Sequence, residues 1–388
     1  MPELATLRRI VDARLPRFLA ELETMVNIDC GSYIPDGVNR IADLVTDALR
    51  AAGAEVERIS HQPDDGAPQL GDLVVGRFAG DGPRILLIGH MDTVFDPGTA
   101  AGRPFRVDGD RALGPGVTDM KAGLLAGLHA IAALHEAGAR PAITFVANPD
   151  EEIGSPFSTA HIRRIAPDHD AVFVLECARA NGDIVSARKG IADYHLTLVG
   201  RAAHAGVEPE KGRSAILEAA HQVVALHALN GRWPTVTVNA GGIHGGTRPN
   251  VVAERCEMQV DLRAATIDAF DAAAAEVARL AADPTVADVR IDLRRIASHP
   301  PMEKTEASAR LVEQAVAIAA ELGFSLRDAA TGGASDANTT AALGIPTIDG
   351  LGPVGGDDHS VDEWLDVTSV VPRTTLLAAL IARIGSDA

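Results

Sequence analysis

A chain of 388 residues is long enough for two domains and a large core, and 46% hydrophobic with 23% charged residues is an ordinary globular balance. The net charge of −18 argues against nucleic acid and anionic membrane surfaces as partners, while small anionic substrates stay open because local site charge outweighs the total. Aromatic residues are only 3%, so an aliphatic core is expected.

In chain order, the first nine residues carry no apolar stretch of the signal-peptide kind, no window reads as a membrane span, and a soluble cytoplasmic protein is expected. Cys30, Cys177 and Cys256 are odd in number and lack metal-type spacing, which argues against a disulfide framework. Val38, Ile41, Leu44, Val45, Ala48 and Leu49 recur at helical spacing over 36–53, with Gly53 as the stop. Strand-like runs follow at 72–78 and 84–89, then an Ala/Leu-rich helix over 119–138, then strands at 142–147 and 171–175. This alternation predicts an α/β fold, a mainly parallel sheet with helices on both faces.

The texture changes near Lys189. Strands at 191–199, 235–239, 251–263 and 287–295 enclose helical patterns at 213–229 and 267–282, and Val252, Cys256, Met258, Val260 and Leu262 largely alternate with polar residues. This is an α+β unit of a size that suits a small domain. Helices at 306–322, 336–343 and 367–384 and a strand at 345–349 then restore the α/β pattern. The expectation is a discontinuous catalytic domain, 1–187 with 298–388, carrying an inserted domain at 188–297.

The two apolar runs 84–88 and 141–147 read as buried strands, and each ends in ionisable residues: His90 and Asp92 after the first, Glu151 and Glu152 after the second. Sites in open α/β sheets form at such carboxyl ends. Asp119 follows a Gly-rich turn, Glu176 closes a third apolar run, and His359 lies in a Gly-rich loop. Singly, Asp119 is an ordinary helix N-cap and Glu151-Glu152 an ordinary solvated turn. Together, His90, Asp119, Glu152, Glu176 and His359 offer the nitrogen and carboxylate donors that hold a pair of divalent cations about 3.5–4 Å apart, close enough to share one hydroxide nucleophile. Three carboxylates against two such cations leave about one positive charge, which favours that hydroxide and polarises a carbonyl. Glu151, beside a ligand but not itself one, is the natural general base, and Asp92 can hold the His90 imidazole in one tautomer.

The segments His90-Met91-Asp92, Gly116 to Gly123, Asp150 to Ser155, Glu176 and Asp358-His359-Ser360 resemble the co-catalytic zinc metallopeptidases of the glutamate carboxypeptidase and aminoacylase family, of the carboxypeptidase G-like kind. The resemblance covers nearly the whole chain. It implies that His90 and Glu176 bind one zinc, Glu152 and His359 the other, and that Asp119 bridges them, with Co2+ or Mn2+ as alternative metals. It implies further that 188–297 is a dimerisation domain whose His204 reaches the neighbouring subunit's site and stabilises the oxyanion. Asn250 and Arg263 match positions that meet a substrate carboxylate, for which a bidentate Arg fork is suited. The loop around Gly333 resembles the family's Gly-rich substrate loop, with backbone amides at a helix start; the alternative is a plain turn capped by Asp336. Glutamate-specific relatives carry an Arg where this chain has His299, so another or broader side-chain preference is expected. His61, His129, His135, His161, His169, His195, His221 and His227 read as structural, with His244 in a Gly-rich loop set apart.

The leading reading is a dizinc hydrolase that cleaves an amide bond next to a free carboxylate of a peptide or N-acyl amino acid. An aminopeptidase or dipeptidase, and a non-catalytic metal-binding module on the same fold, are the alternatives; a Ser or Cys nucleophile has no supporting motif.

Overall fold

The computed structural model describes residues 2–384. It divides into two compact units: the chain up to Ser186 with Lys304–Ala330 and the chain from Ser335 onward, and Ala187–Glu303 with Thr331–Ala334. The expected exit near 297 falls inside the second unit, because the strand Arg290–His299 runs on without a break in its pairing to Gly190–Val199 beyond one irregularity at Arg295/Ala297.

The first unit is built on a six-stranded sheet in the order Glu55–Ile59, Leu73–Phe78, Pro141–Asn148, Asp81–His90, Ala171–Val174, Thr347–Ile348. The last four run parallel. Leu73–Phe78 runs antiparallel to both of its neighbours, so the sheet is mixed rather than simply parallel. The reason lies in the connection: two residues separate Leu73–Phe78 from Asp81–His90, too few for the crossover that a parallel pair requires. Ile85, Leu86, Leu87 and Ile88 are all buried. Successive strand residues point to opposite faces, so both faces of the sheet are covered. Ile85, Leu87, Phe145 and Phe173 join one apolar cluster with the helices Leu4–Val26, Pro35–Ala51, Ala122–Glu136, Glu306–Leu322 and Val367–Arg383.

The segment Val117–Glu136 is long and apolar enough, by composition alone, to cross a membrane. Its helix is instead packed inside the core, with Leu124, Leu125, Ala126, Ala130, Ile131 and Leu134 all buried, which is what a helix apolar on every face does in a large domain. The helix Leu4–Val26, with Pro16 inside it, and a small sheet of two- and three-residue strands (Arg106–Asp108, Arg111–Leu113, Gly355–Gly356, Trp364–Asp366) also lay outside the sequence expectations.

The second unit is a four-stranded antiparallel sheet in the order Thr237–Gly245, Arg255–Ala264, Gly190–Val199, Arg290–His299. Cys256, Met258, Val260 and Leu262 are buried against the helices Ala215–His227 and Ile267–Ala282, while Glu257, Gln259, Asp261 and Arg263 take the other face. Ser214 and Thr266 cap those helices by accepting from the Leu217 and Ala269 N–H groups. A bulge between Ala240 and Gly242 carries the strand expected at 235–239 on to Gly245.

Candidate metal centre

His90 and Asn148 are register partners at the ends of adjacent parallel strands, and Leu175 donates to the Ile88 carbonyl (2.8 Å) on the other side. The chain leaving these three strands therefore delivers His90, the pair Glu151-Glu152 and Glu176 to one sheet edge. Asp119 arrives from the loop after Arg111–Leu113, and His359 from the loop joining Gly355–Gly356 to Trp364–Asp366; these strands share the small sheet, which brings the two loops together.

The result is two donor groups sharing one carboxylate. His90 Nε2 is 3.1 Å from Asp119 Oδ1 and 3.6 Å from Glu176 Oε1. His359 Nε2 is 3.1 Å from Asp119 Oδ2 and 3.1 Å from Glu152 Oε2. Within each triad the ligand atoms lie within 4.8 Å of one another. Asp119 thus presents a different oxygen to each group, which is the geometry of a bridging carboxylate.

Glycines permit these approaches. Gly116 takes φ +68° in the turn before Asp119, and a Cβ on Gly123 would lie 1.9 Å from the Leu175 carbonyl oxygen. Only a glycine there lets the helix start sit against the segment that carries Glu176. The Asp119–Met120 peptide bond is cis.

Asp92 is buried and acts as a hub. Its Oδ2 accepts from the Ser32 hydroxyl (2.6 Å) and the Glu152 N–H (3.2 Å), and its Oδ1 accepts from the Glu151 N–H (3.1 Å). His90 Nδ1 is 3.0 Å from the Asp92 carbonyl oxygen and 3.4 Å from Asp92 Oδ1. A carbonyl only accepts, so Nδ1 carries a proton and Nε2 is left facing Asp119 and Glu176. The backbone of Asp92 is therefore the nearer orienting group, with the carboxylate behind it.

The electrostatics suit cations. Burial alone would lower the His90 pKa, but Glu176, Asp119 and Asp92 outweigh it and raise it well above the usual imidazole range. His359 is raised to about 11 by its hydrogen bonds to Asp119 and Glu152. Burial pushes Glu176 up to about 7, against the pull of His90, whereas His359 and His90 overcome burial to hold Asp119 well below the carboxylate range. Glu151 is raised well above its ordinary value by burial and by Glu176. These shifts favour protonated imidazoles beside ionised carboxylates. Divalent cations fit the same donor set of imidazole nitrogen and carboxylate oxygen, displacing those protons.

Several residues that support the site were not found from sequence. Glu363 is buried and accepts three backbone N–H groups of the Asp119 loop, from Gly116, Thr118 and Asp119. Asp336, also buried, accepts from the Asn148 amide and from the Ser155 hydroxyl (2.7 Å), and Asp150 accepts from the N–H of Phe157 (2.6 Å). Burial raises Asp336 to about 7 and Asp150 to about 6. Arg373, wholly buried, donates to the carbonyls of Gly350, Gly352 and Gly182, and the Gly352 N–H donates to the Glu176 carbonyl (2.9 Å). Apart from Asp150 to Phe157, seven residues on, and the Arg373 bonds to Gly350 and Gly352, these contacts join segments far apart in sequence, so no local spacing announces them. The helix at Asp336–Ala342 is capped by Ser335 in a capping box with Asn338, which replaces Asp336 in the alternative reading of that turn.

The other predicted residues lie in the second unit. His204 is exposed, and its Nδ1 accepts from the Gly206 N–H (3.1 Å), which places the ring proton on Nε2. Asn250 is exposed beside it: its carbonyl accepts from the Ala205 N–H (3.0 Å). Arg263 bonds both Asp261 oxygens (3.1 Å each) and donates to the Gly332 carbonyl (2.9 Å), while the Gly333 carbonyl accepts from Arg188 (3.1 Å). His299 ends its strand opposite Ile191. His244 is exposed on the strand Thr237–Gly245. Among the remaining histidines, His129 bonds Glu21 (2.8 Å), His169 bonds Thr144 (2.8 Å), and His61 accepts from the Leu70 N–H (3.1 Å). All three cysteines are free.

Residues 86–383 match peptidase family M20/M25/M40. The chain is 32% identical over 379 residues to carboxypeptidase G2 of Pseudomonas sp. (strain RS-16), covering 96% of this chain and 90% of that protein. It is 30% identical over 258 residues to N-acetyl-L-citrulline deacetylase of Xanthomonas campestris pv. campestris, covering 63% and 66%. Among solved structures, aminopeptidase PepT from Bacillus cereus superposes with a TM-score of 0.78 at 26% identity, covering 95% of this chain and 98% of that one. A donor set for divalent metal, an α/β fold and matches spanning nearly the whole sequence agree: the chain belongs to peptidase family M20/M25/M40 and is a metal-dependent amide-bond hydrolase.

Proposed function

We propose that this hydrolase binds two zinc ions and cleaves an amide bond adjacent to a free carboxylate, in a peptide or an N-acyl amino acid. The observation that carries the reading is the division of Asp119, one oxygen toward His90 and Glu176 and the other toward His359 and Glu152. Divalent cations held there supply Lewis acidity and ionise water near neutral pH. Glu151 belongs to neither triad yet sits beside the ligand Glu152, which leaves its carboxylate to take a proton from the attacking water and pass it to the leaving nitrogen. Asp92 holds the Glu151 and Glu152 backbone and so aims the base.

The resemblance to a carboxypeptidase and a deacetylase supports a substrate with a free carboxylate, for which Arg263 and Asn250 are the proposed clamp and the Gly333 loop a further contact. His299 is proposed to set side-chain preference. Ile216, Leu217 and Val224 are exposed on the helix Ala215–His227, beside the edge strand Thr237–Gly245, which supports a homodimer through the second unit. His204, with its proton on Nε2, is then the proposed oxyanion donor to the partner's site. Free cysteines support the cytoplasm as the compartment.

The aminopeptidase of similar structure favours a second reading, in which a free amine is recognised. A panel of N-acyl amino acids, dipeptides and amino-acid amides, assayed with Zn2+, Co2+ and Mn2+ and with chelator, separates the two. Turnover of N-acyl amino acids with none of amides supports the proposal; the reverse pattern overturns it.

A further inference from the structure

Glu363 stands four residues beyond His359, in the segment returning from the His359 loop to the strand Trp364–Asp366. Its side chain is 1% exposed. Oε2 accepts from the Gly116 N–H (2.8 Å), and Oε1 accepts from the N–H groups of Thr118 (2.9 Å) and Asp119 (3.1 Å). Gly116, at φ +68°, turns the backbone so that these donors converge. No cationic side chain bonds it among the described residues, and a buried carboxylate without one is costly. That cost is met by a specific return: one side chain ties the loop of the bridging Asp119 to the loop of His359.

The two halves of the centre are anchored differently. His90 and Glu176 follow paired strands of the main sheet. His359 is 54% exposed in a loop shaped by Trp364 Nε1 to Asp357 (2.9 Å) and Arg103 to the Ser360 carbonyl (3.0 Å), and its ring meets Asp119 Oδ2 (3.1 Å). We infer that Glu363 is a positioning residue that sets the separation of Asp119 from His359 and, through it, the metal affinity of the half-site formed by Glu152 and His359. This rests on the two-metal reading above.

The test is a zinc titration of the metal-free protein against a chromophoric chelator, with wild type, Glu363→Gln, Glu363→Ala, and Phe18→Leu as a destabilised core control. Gln keeps the side-chain volume but turns an NH2 toward backbone donors. Wild type takes up two equivalents. In both Glu363 variants one equivalent loses about 10–100-fold in affinity, while the other, which shares Asp119 but rests on paired strands of the main sheet, loses no more than about threefold. Phe18→Leu lowers the melting temperature and moves neither affinity. Glu363→Gln is the informative variant if Glu363→Ala does not fold. Equal weakening of both equivalents, or a lowered melting temperature with both affinities kept, makes Glu363 merely structural and overturns the inference. A single equivalent in wild type overturns the two-metal reading itself, and this assignment with it.

Discussion

Asp92→Asn separates the aiming of the base from the binding of metal. The carboxylate's two oxygens have different duties: Oδ2 receives Ser32 and Glu152, and Oδ1 receives Glu151. An Asn that keeps its oxygen at Oδ2 preserves the first two bonds and turns its NH2 onto the Glu151 N–H, where two donors face each other. An unmet donor of this kind costs about 1–3 kcal/mol. Carried into the placement of the Glu151 carboxylate, that is roughly a 5- to 150-fold loss in kcat. The His90 imidazole is spared, because its Nδ1 lies nearer the Asp92 backbone carbonyl (3.0 Å) than the side chain (3.4 Å), and the substitution leaves that carbonyl in place. The assay is kcat on zinc-reconstituted protein, with metal content by mass spectrometry and zinc affinity by competition. Lowered kcat with zinc affinity within about threefold is expected. Lost zinc at unchanged kcat per bound metal pair would refute the reasoning and return the orienting role to the carboxylate.

Glu151→Gln should reduce kcat by about 10²–10⁴-fold while both metals stay bound, measured by turnover and metal content; loss of metal makes Glu151 a ligand instead. The metal-free protein should lose stability as pH rises from 5 to 9. Asp150, Asp336, Glu176 and Glu363 have folded pKa values of about 6, 7, 7 and 7, above their unfolded values, and His359 is raised to about 11. In that window the folded state holds protons that the unfolded state has released, so the slope is negative. His135, His161 and His169, whose pKa values are lowered, oppose it only near and below 6.5. Denaturation midpoints that hold level or rise with pH contradict this, and Asp336→Asn should flatten the slope. His299→Arg should improve hydrolysis of acyl-glutamate relative to acyl-alanine; an unchanged kcat/KM ratio removes His299 from the substrate pocket.

What could be read from sequence was whatever local pattern encodes. The strands ending at His90 and Asn148 are continuous apolar runs, and they deliver the ionisable residues at and just past their ends to a sheet edge. The reversal of Leu73–Phe78 was written in its two-residue link to the next strand, but the apolar pattern alone has no direction. The strands Gly355–Gly356 and Trp364–Asp366 are too short to show a period, so the pairing that brings His359 to Asp119 was invisible. Glu363 shows the limit most clearly, because its partners are backbone N–H groups about 245 positions away, which no residue type can signal. The helix Ala122–Glu136 carried a composition that suits lipid as well as a core, and only its packing distinguishes them.

The central claim is that Asp119 bridges two cations. A zinc-loaded crystal measured across the zinc absorption edge tests it directly. The account predicts two anomalous peaks about 3.5–4 Å apart, one beside His90 and Glu176, the other beside Glu152 and His359, with one Asp119 oxygen on each. A single peak, or two peaks that do not share Asp119, would contradict it.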